Sequence, residues 1–196
     1  AAHVIILVFS KDLGSAVIFF AGYLIMVFIA TKNYFYLFAG ILGGAGASIV
    51  AYHMFSHVRT RVIAFLHPWS NINDSGYQIT QSLFAIGTGG WFGLGIDQGD
   101  PTSIPYVEQD FVFSAVAEEM GVIFGICLIL VCVSCFIVFM KIAMQLKEDF
   151  YRYIAVGIST IYIFQVFLTI GGGTRFIPLT GVTLPLVSYG GSSVLT

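Results

Sequence analysis

Asp110 stands where a long polar stretch gives way to the apolar run Phe111-Val-Phe-Ser-Ala-Val-Ala, and Glu118 and Glu119 follow directly on that run. A carboxylate at such a boundary is partly desolvated, which raises its pKa toward the range useful for a general base. Asp is also a good N-cap for a helix opening at Phe111, and the two roles are compatible. If that helix starts near Phe111, Glu118 returns to the side of Asp110, while the adjacent Glu119 faces elsewhere. An ionisable group inside a membrane span is costly and marks a cavity or a partner. Glu118 and Glu119 are therefore expected either to line a cavity and meet substrate or to form a salt bridge with Arg59, Arg61 or Arg175. Arg59, Arg61 and Lys11 are cations near the same face. Arg suits bidentate phosphate binding, and the alternative is interfacial snorkelling to lipid headgroups.

Other constellations are weaker. His53 and His57 have the i, i+4 spacing of a metal pair, but no HExxH motif or third ligand accompanies them. Cys132 and Cys135 form a CxxC inside an apolar segment that also holds Cys127, with no polar or basic neighbour to activate a thiol, so packing residues are expected. The glycines between Gly87 and Gly95 fit neither the Rossmann nor the P-loop fingerprint. They suit tight turns and close backbone approach.

The elements that hold these residues are set by composition. The chain is 58% hydrophobic and 9% charged, with a mean hydropathy of +0.93, far from soluble domains, in which about a quarter of residues are charged. An all-α, polytopic integral membrane protein is expected. The net charge of −2 offers no basic patch for nucleic acid. Leu13 to Ala30 supplies about 18 apolar residues, enough to cross roughly 30 Å of hydrocarbon. A polar turn at Thr31-Lys32-Asn33 precedes a second span from Tyr34 to Phe55, whose Gly40-to-Ser48 run of small residues suits close helix packing.

Residues 1–56 thus form membrane helices, the first of them truncated. Residues 57–110 form a large extracellular loop, in which Tyr77 to Ile86 reads as a short amphipathic helix with Gln78 and Gln81 on its polar side. Residues 111–170 form two spans, Phe111 to Met140 and Tyr153 to Ile170, joined by a cytoplasmic loop over 141–152. Residues 171–196 are too broken by Pro178, Gly181, Pro185 and Gly190-Gly191 for one straight helix. They are expected to form a re-entrant or surface-lying segment leading into a truncated last helix. Lys32, Lys141, Lys147 and Arg152 mark the cytoplasmic face, so the acidic loop and the Gly/Pro segment face outward.

Three runs carry a resemblance: Gln81-Ser-Leu-Phe-Ala-Ile-Gly87-Thr-Gly-Gly90-Trp-Phe-Gly93-Leu-Gly95, then Pro105 with Asp110-Phe-Val-Phe113, then Pro178-Leu-Thr-Gly181-Val-Thr-Leu-Pro185-Leu-Val-Ser188-Tyr-Gly190-Gly191-Ser-Ser193. Together they resemble the FtsW/RodA/SpoVE family, the SEDS glycosyltransferases that polymerise peptidoglycan. The family motif Pro-Glu-x-His-Thr-Asp-Phe-Ile-Phe-Ala is matched at Pro105, Asp110, Phe111 and Phe113, and departed from at Tyr106, Glu108 and Gln109.

The resemblance implies a parent of about ten spans, of which this chain is a C-terminal fragment with about four complete or partial helices. It also implies an inverting glycosyltransferase in the bacterial cytoplasmic membrane, acting on lipid II at the outer face, with Asp110 as the catalytic base. Arg59, Arg61, Glu118, Glu119, Lys11, Gln81 and Ser188 are then the candidate substrate-binding residues. A divalent cation, Mg or Mn, could assist. A class B penicillin-binding protein and membrane lipids are the implied partners. A lipid II flippase and a non-catalytic scaffold for that partner are the alternatives.

Overall fold

The computed structural model describes residues 12–189, and among them every regular element is helical. Helix α1 (Leu13–Thr31) opens on Asp12, whose carboxylate accepts from the Ser15 N–H. It closes on Lys32 in the left-handed conformation, and Asn33 then caps α2 (Tyr34–Met54) by accepting from the Phe35 N–H. The polar turn between the first two spans is thus built from a left-handed backbone C-cap at Lys32 and a side-chain N-cap at Asn33. Phe55 is extended, and the chain resumes as α3 (Ser56–Leu66). Helix α4 (Tyr77–Gly89) follows, then α5 (Val112–Gln145) and α6 (Asp149–Gly173). Four helices are long and apolar enough to cross a membrane, over Gly14–Thr31, Tyr34–Met54, Val112–Gln145 and Asp149–Gly173. This is a polytopic membrane protein.

The described chain divides into two compact units. One takes the residues up to Arg59 together with Val133–Phe164. In it Phe20 and Leu24 of α1 meet Gly44 and Gly40 of α2, and Phe139 packs edge-on against Tyr162. The other takes Thr60–Cys132 together with the residues from Gln165 onward. Its core gathers Ala85, Ile104 and Phe111, with Val107 and Leu179 against them. Ser82 of α4 donates to the Gly173 carbonyl at 2.7 Å and lies 2.6 Å from the Ser114 hydroxyl, tying α4 to α5 and to the end of α6.

Three elements differ from the sequence expectation. The stretch beginning at His57 is helical as α3, because its Arg, Thr and Val residues are compatible with helix and polarity alone does not end one. The junction over 141–152 shrinks to the few residues between Gln145 and Asp149, since loss of apolarity marks the edge of hydrocarbon and not the edge of a helix.

The third difference is that α5 is not continuous. Gly121 has φ +86° and ψ 168°, which breaks the helix. The segment 90–95 fills the gap: Leu94 and Gly95 N–H groups donate to the Glu118 and Glu119 carbonyls, both at 2.9 Å, and the Gly90 and Trp91 carbonyls accept from Val122 and Ile123. Backbone groups released by the break are therefore satisfied by another segment, as buried backbone groups generally are. The part from Val122 to Gln145 alone reaches about 36 Å at 1.5 Å per residue, enough for the ~30 Å hydrocarbon core. The leading piece, Val112 to Met120, and the helix as far as Cys132 belong to the second unit.

Candidate active site

Asp110 is positioned by the turn before α5. Tyr106 adopts φ +60°, a left-handed conformation unusual for a non-glycine residue, and its carbonyl accepts from the Gln109 and Asp110 N–H groups. Phe111, next in sequence, is 1% exposed and anchors the turn in the core. The Phe111 carbonyl accepts from Ser114 and Ala115. The cap position of α5 therefore falls on Phe111, one residue beyond the Asp110 expected there.

A cavity of about 370 Å³ opens beside Asp110. Its apolar lining comes from Ala64, Phe65, Ile79, Ile177 and Leu179, and its polar lining from Thr60, Arg61, Asp74, Ser75, Gln78, Tyr106 and Asp110. Burial pushes the Asp110 carboxyl above the usual carboxylate range, and the Arg61 charge opposes that rise. Arg61 reaches across from α3 and donates from Nη1 to the Thr180 carbonyl at 2.7 Å. Gly181, at φ +75°, brings the broken segment up to both side chains. A Cβ there would lie 3.1 Å from Arg61 Nη2 and 3.7 Å from Asp110 Oδ2.

The Gly/Pro segment forms the remaining scaffold. Thr169 of α6 donates to the Val182 carbonyl at 2.9 Å. Ser188 donates to the Gln109 carbonyl at 2.6 Å and accepts from the Leu184 N–H at 2.9 Å. The Tyr189 N–H reaches the Glu108 carbonyl. Ser188, expected at the substrate, is instead buried against the backbone next to Asp110. Arg175 also has a structural task, because its Nε donates to the Phe65 carbonyl at 3.0 Å and so closes the end of α3.

The expected residues thus separate. Asp110 and Arg61 share the cavity. Arg59 does not line it and lies over the Tyr52 ring at 5.6 Å, because residues two apart on a helix point to different faces. Gln81 sits one turn beyond the cavity, and Gln78 takes the place expected for it. Glu118 and Glu119 bind the loop over 97–100. The Asp100 N–H donates to Glu118 and the Asp97 N–H to Glu119, each at 3.3 Å. Both glutamates precede the break at Gly121. Lys11 lies outside the described residues. Among the described residues no three His, Cys, Asp or Glu side chains converge on a metal position. His53 and His57 face different aromatic neighbours, Tyr52 and Phe55. Thr60, Asp74 and Ser75 carry no sequence signal beyond a polar run ahead of the amphipathic helix, and Gln78 is marked only by its place on that helix's polar side.

A family model described as "Cell cycle protein" and covering FtsW, RodA and SpoVE matches residues 1–196. The chain belongs to the FtsW/RodA/SpoVE family. It is 39% identical to peptidoglycan glycosyltransferase RodA of Mycobacterium tuberculosis over 191 residues, which are 97% of this chain and 40% of that protein. Identity is 37% to a probable peptidoglycan glycosyltransferase FtsW of Aliivibrio salmonicida, covering 96% of this chain and 48% of that one. It is 33% to the stage V sporulation protein E of Bacillus subtilis, covering 97% and 52%. A chain in a solved peptidoglycan synthase complex that coordinates polymerization and crosslinking superposes with a TM-score of 0.77 at 28% identity, covering 96% of this chain and 53% of that one. This FtsW/RodA/SpoVE chain thus spans about half the length of the relatives it matches.

Proposed function

We propose that the protein to which this chain belongs is a peptidoglycan glycosyltransferase that polymerises lipid II at the outer face of the bacterial cytoplasmic membrane. The observation that carries this reading is the pairing of a desolvated Asp110 with Arg61 on one cavity. Asp110 takes the proton of the acceptor sugar hydroxyl. The oxygen attacks the donor's anomeric carbon from the face opposite the pyrophosphate, so a β glycosidic C–O bond forms as the α C–O bond to phosphate breaks. The electron pair leaves on the lipid pyrophosphate, whose charge Arg61 offsets as it develops. Similarity to a chain of a complex that couples polymerization to crosslinking supports a class B penicillin-binding protein as partner.

The test is polymerisation of labelled lipid II by the full-length protein with its transpeptidase partner, wild type against Asp110→Asn. Loss of glycan with folding and partner binding retained supports the reading. Wild-type rates in the variant overturn the role of Asp110. A wild type that makes no glycan but moves lipid II across a bilayer favours the flippase, and one that only stimulates its partner favours the scaffold.

A further inference from the structure

The cavity has a second set of polar groups that the transfer step does not use. The charged groups that act in that step come from α3 and from the turn before α5, whereas Ser75 and Gln78 come from the approach to α4 and its first turn. Neighbouring polar side chains on α4 are already committed: Tyr77 to the Ser103 carbonyl, Thr80 to the Gly76 carbonyl, Ser82 to the Gly173 carbonyl. Among the described residues Ser75 and Gln78 have no such side-chain bond. A carboxamide offers two donors and an acceptor together, and a hydroxyl offers one donor with acceptor capacity. Polar groups held half-buried on a cavity wall without an internal partner are the means by which small-molecule sites fix orientation. Next to Gln78 the lining turns apolar at Ile79, which is 6% exposed. An amide beside a small apolar surface matches an acetamido group, whose N–H and C=O need partners and whose methyl does not.

We propose that Gln78, with Ser75, is the specificity-determining wall for the acetamido group of an N-acetylated hexosamine, which rests on the glycosyltransferase reading above and names the part of the substrate held there. Gln78 exchanges hydrogen bonds with the acetamide, Ile79 covers its methyl, and Ser75 takes a ring hydroxyl, presenting the sugar to Asp110 and Arg61.

Equilibrium binding by the full-length protein in detergent tests this without turnover. Two lipid-linked disaccharides are compared, one carrying the acetamido groups and one with hydroxyls in their place. Wild type is expected to prefer the acetamido lipid at least tenfold. Gln78→Ala should reduce that preference to threefold or less with the melting temperature unchanged, and Ser75→Ala should weaken both lipids while keeping the preference. Equal binding of the two lipids by wild type, or full preference in a folded Gln78→Ala protein, overturns the proposal. Glycan synthesis by the same preparations is measured separately, so failure of the polymerase reading and failure of this recognition are distinct results.

Discussion

The Ser188 hydroxyl donates to the Gln109 carbonyl at 2.6 Å, one residue before Asp110. Together with the Tyr189 to Glu108 bond, it fixes the backbone that presents the proposed base. Ser188→Ala leaves the Gln109 carbonyl and the Leu184 N–H without this partner, at about 1–3 kcal/mol. The expected result is a lowered melting temperature and a fall in kcat with KM little changed, since Asp110 loses its register and the cavity keeps its lining. Ser188→Thr keeps the hydroxyl and should recover most of the rate. A variant in which only KM moves would place Ser188 on substrate after all.

Asp110→Asn should abolish glycan synthesis without lowering stability. Because burial raises the folded-state pKa of Asp110, the native protein holds that proton more tightly than the unfolded chain does. Stability then falls as pH rises from the ordinary value of 3.8 through the raised one. At neutral pH the ionised carboxylate is thus a cost, which the neutral amide removes. Denaturant titration at pH 7 checks this: a marked loss of stability in the Asn variant would mean that the carboxylate holds the turn.

The acidic limb of the pH–rate profile should lie above the usual carboxylate value, because the base must be deprotonated and its pKa is raised. Arg61 opposes that rise, so Arg61→Gln should move the limb to still higher pH while lowering the plateau through lost charge on the leaving group. A limb that moves to lower pH would show that Arg61 does not act on Asp110.

Gly121→Ala should be severely destabilising. Its φ is +86°, and a Cβ there would lie 2.5 Å from the Gly93 nitrogen and 2.6 Å from the Phe92 carbonyl carbon. Backbone strain and forced displacement together cost roughly 2–5 kcal/mol. Gly87→Ala in α4 is the contrast, since a Cβ there meets nothing within 4 Å; it should stabilise the protein by about 0.5–1 kcal/mol. Unfolding of both variants in detergent measures the difference.

The membrane helices were legible because apolar length is a direct readout of hydrocarbon thickness. The break at Gly121 was not. One glycine in an apolar run is indistinguishable from a packing residue, and its cause lies in glycines far away at Gly90, Gly93 and Gly95. Nor does sequence show that Glu118 and Glu119 accept from the Asp100 and Asp97 N–H groups, a contact that depends on how the 97–100 loop folds back. The place of Asp110 on the cavity wall agrees with its position at a polarity boundary in the sequence. Arg59 and Arg61 have the same chemistry, and only the phase of α3, a helix that their polar surroundings concealed, assigns Arg61 to the cavity. Gln78 and Gln81 are separated by the same kind of information, the point along α4 at which the cavity begins.

The four backbone bonds between 90–95 and 118–123 make the two halves of α5 depend on a segment that is remote in sequence. Without that segment the Glu118 and Glu119 carbonyls and the Val122 and Ile123 N–H groups at the break would lose these partners. The turn that carries Asp110 leads directly into the first half of that helix. The position of the proposed catalytic residue thus depends on a segment that enters no span, and a chain with its apolar helices intact but this segment unseated would lack the support of the turn that carries Asp110.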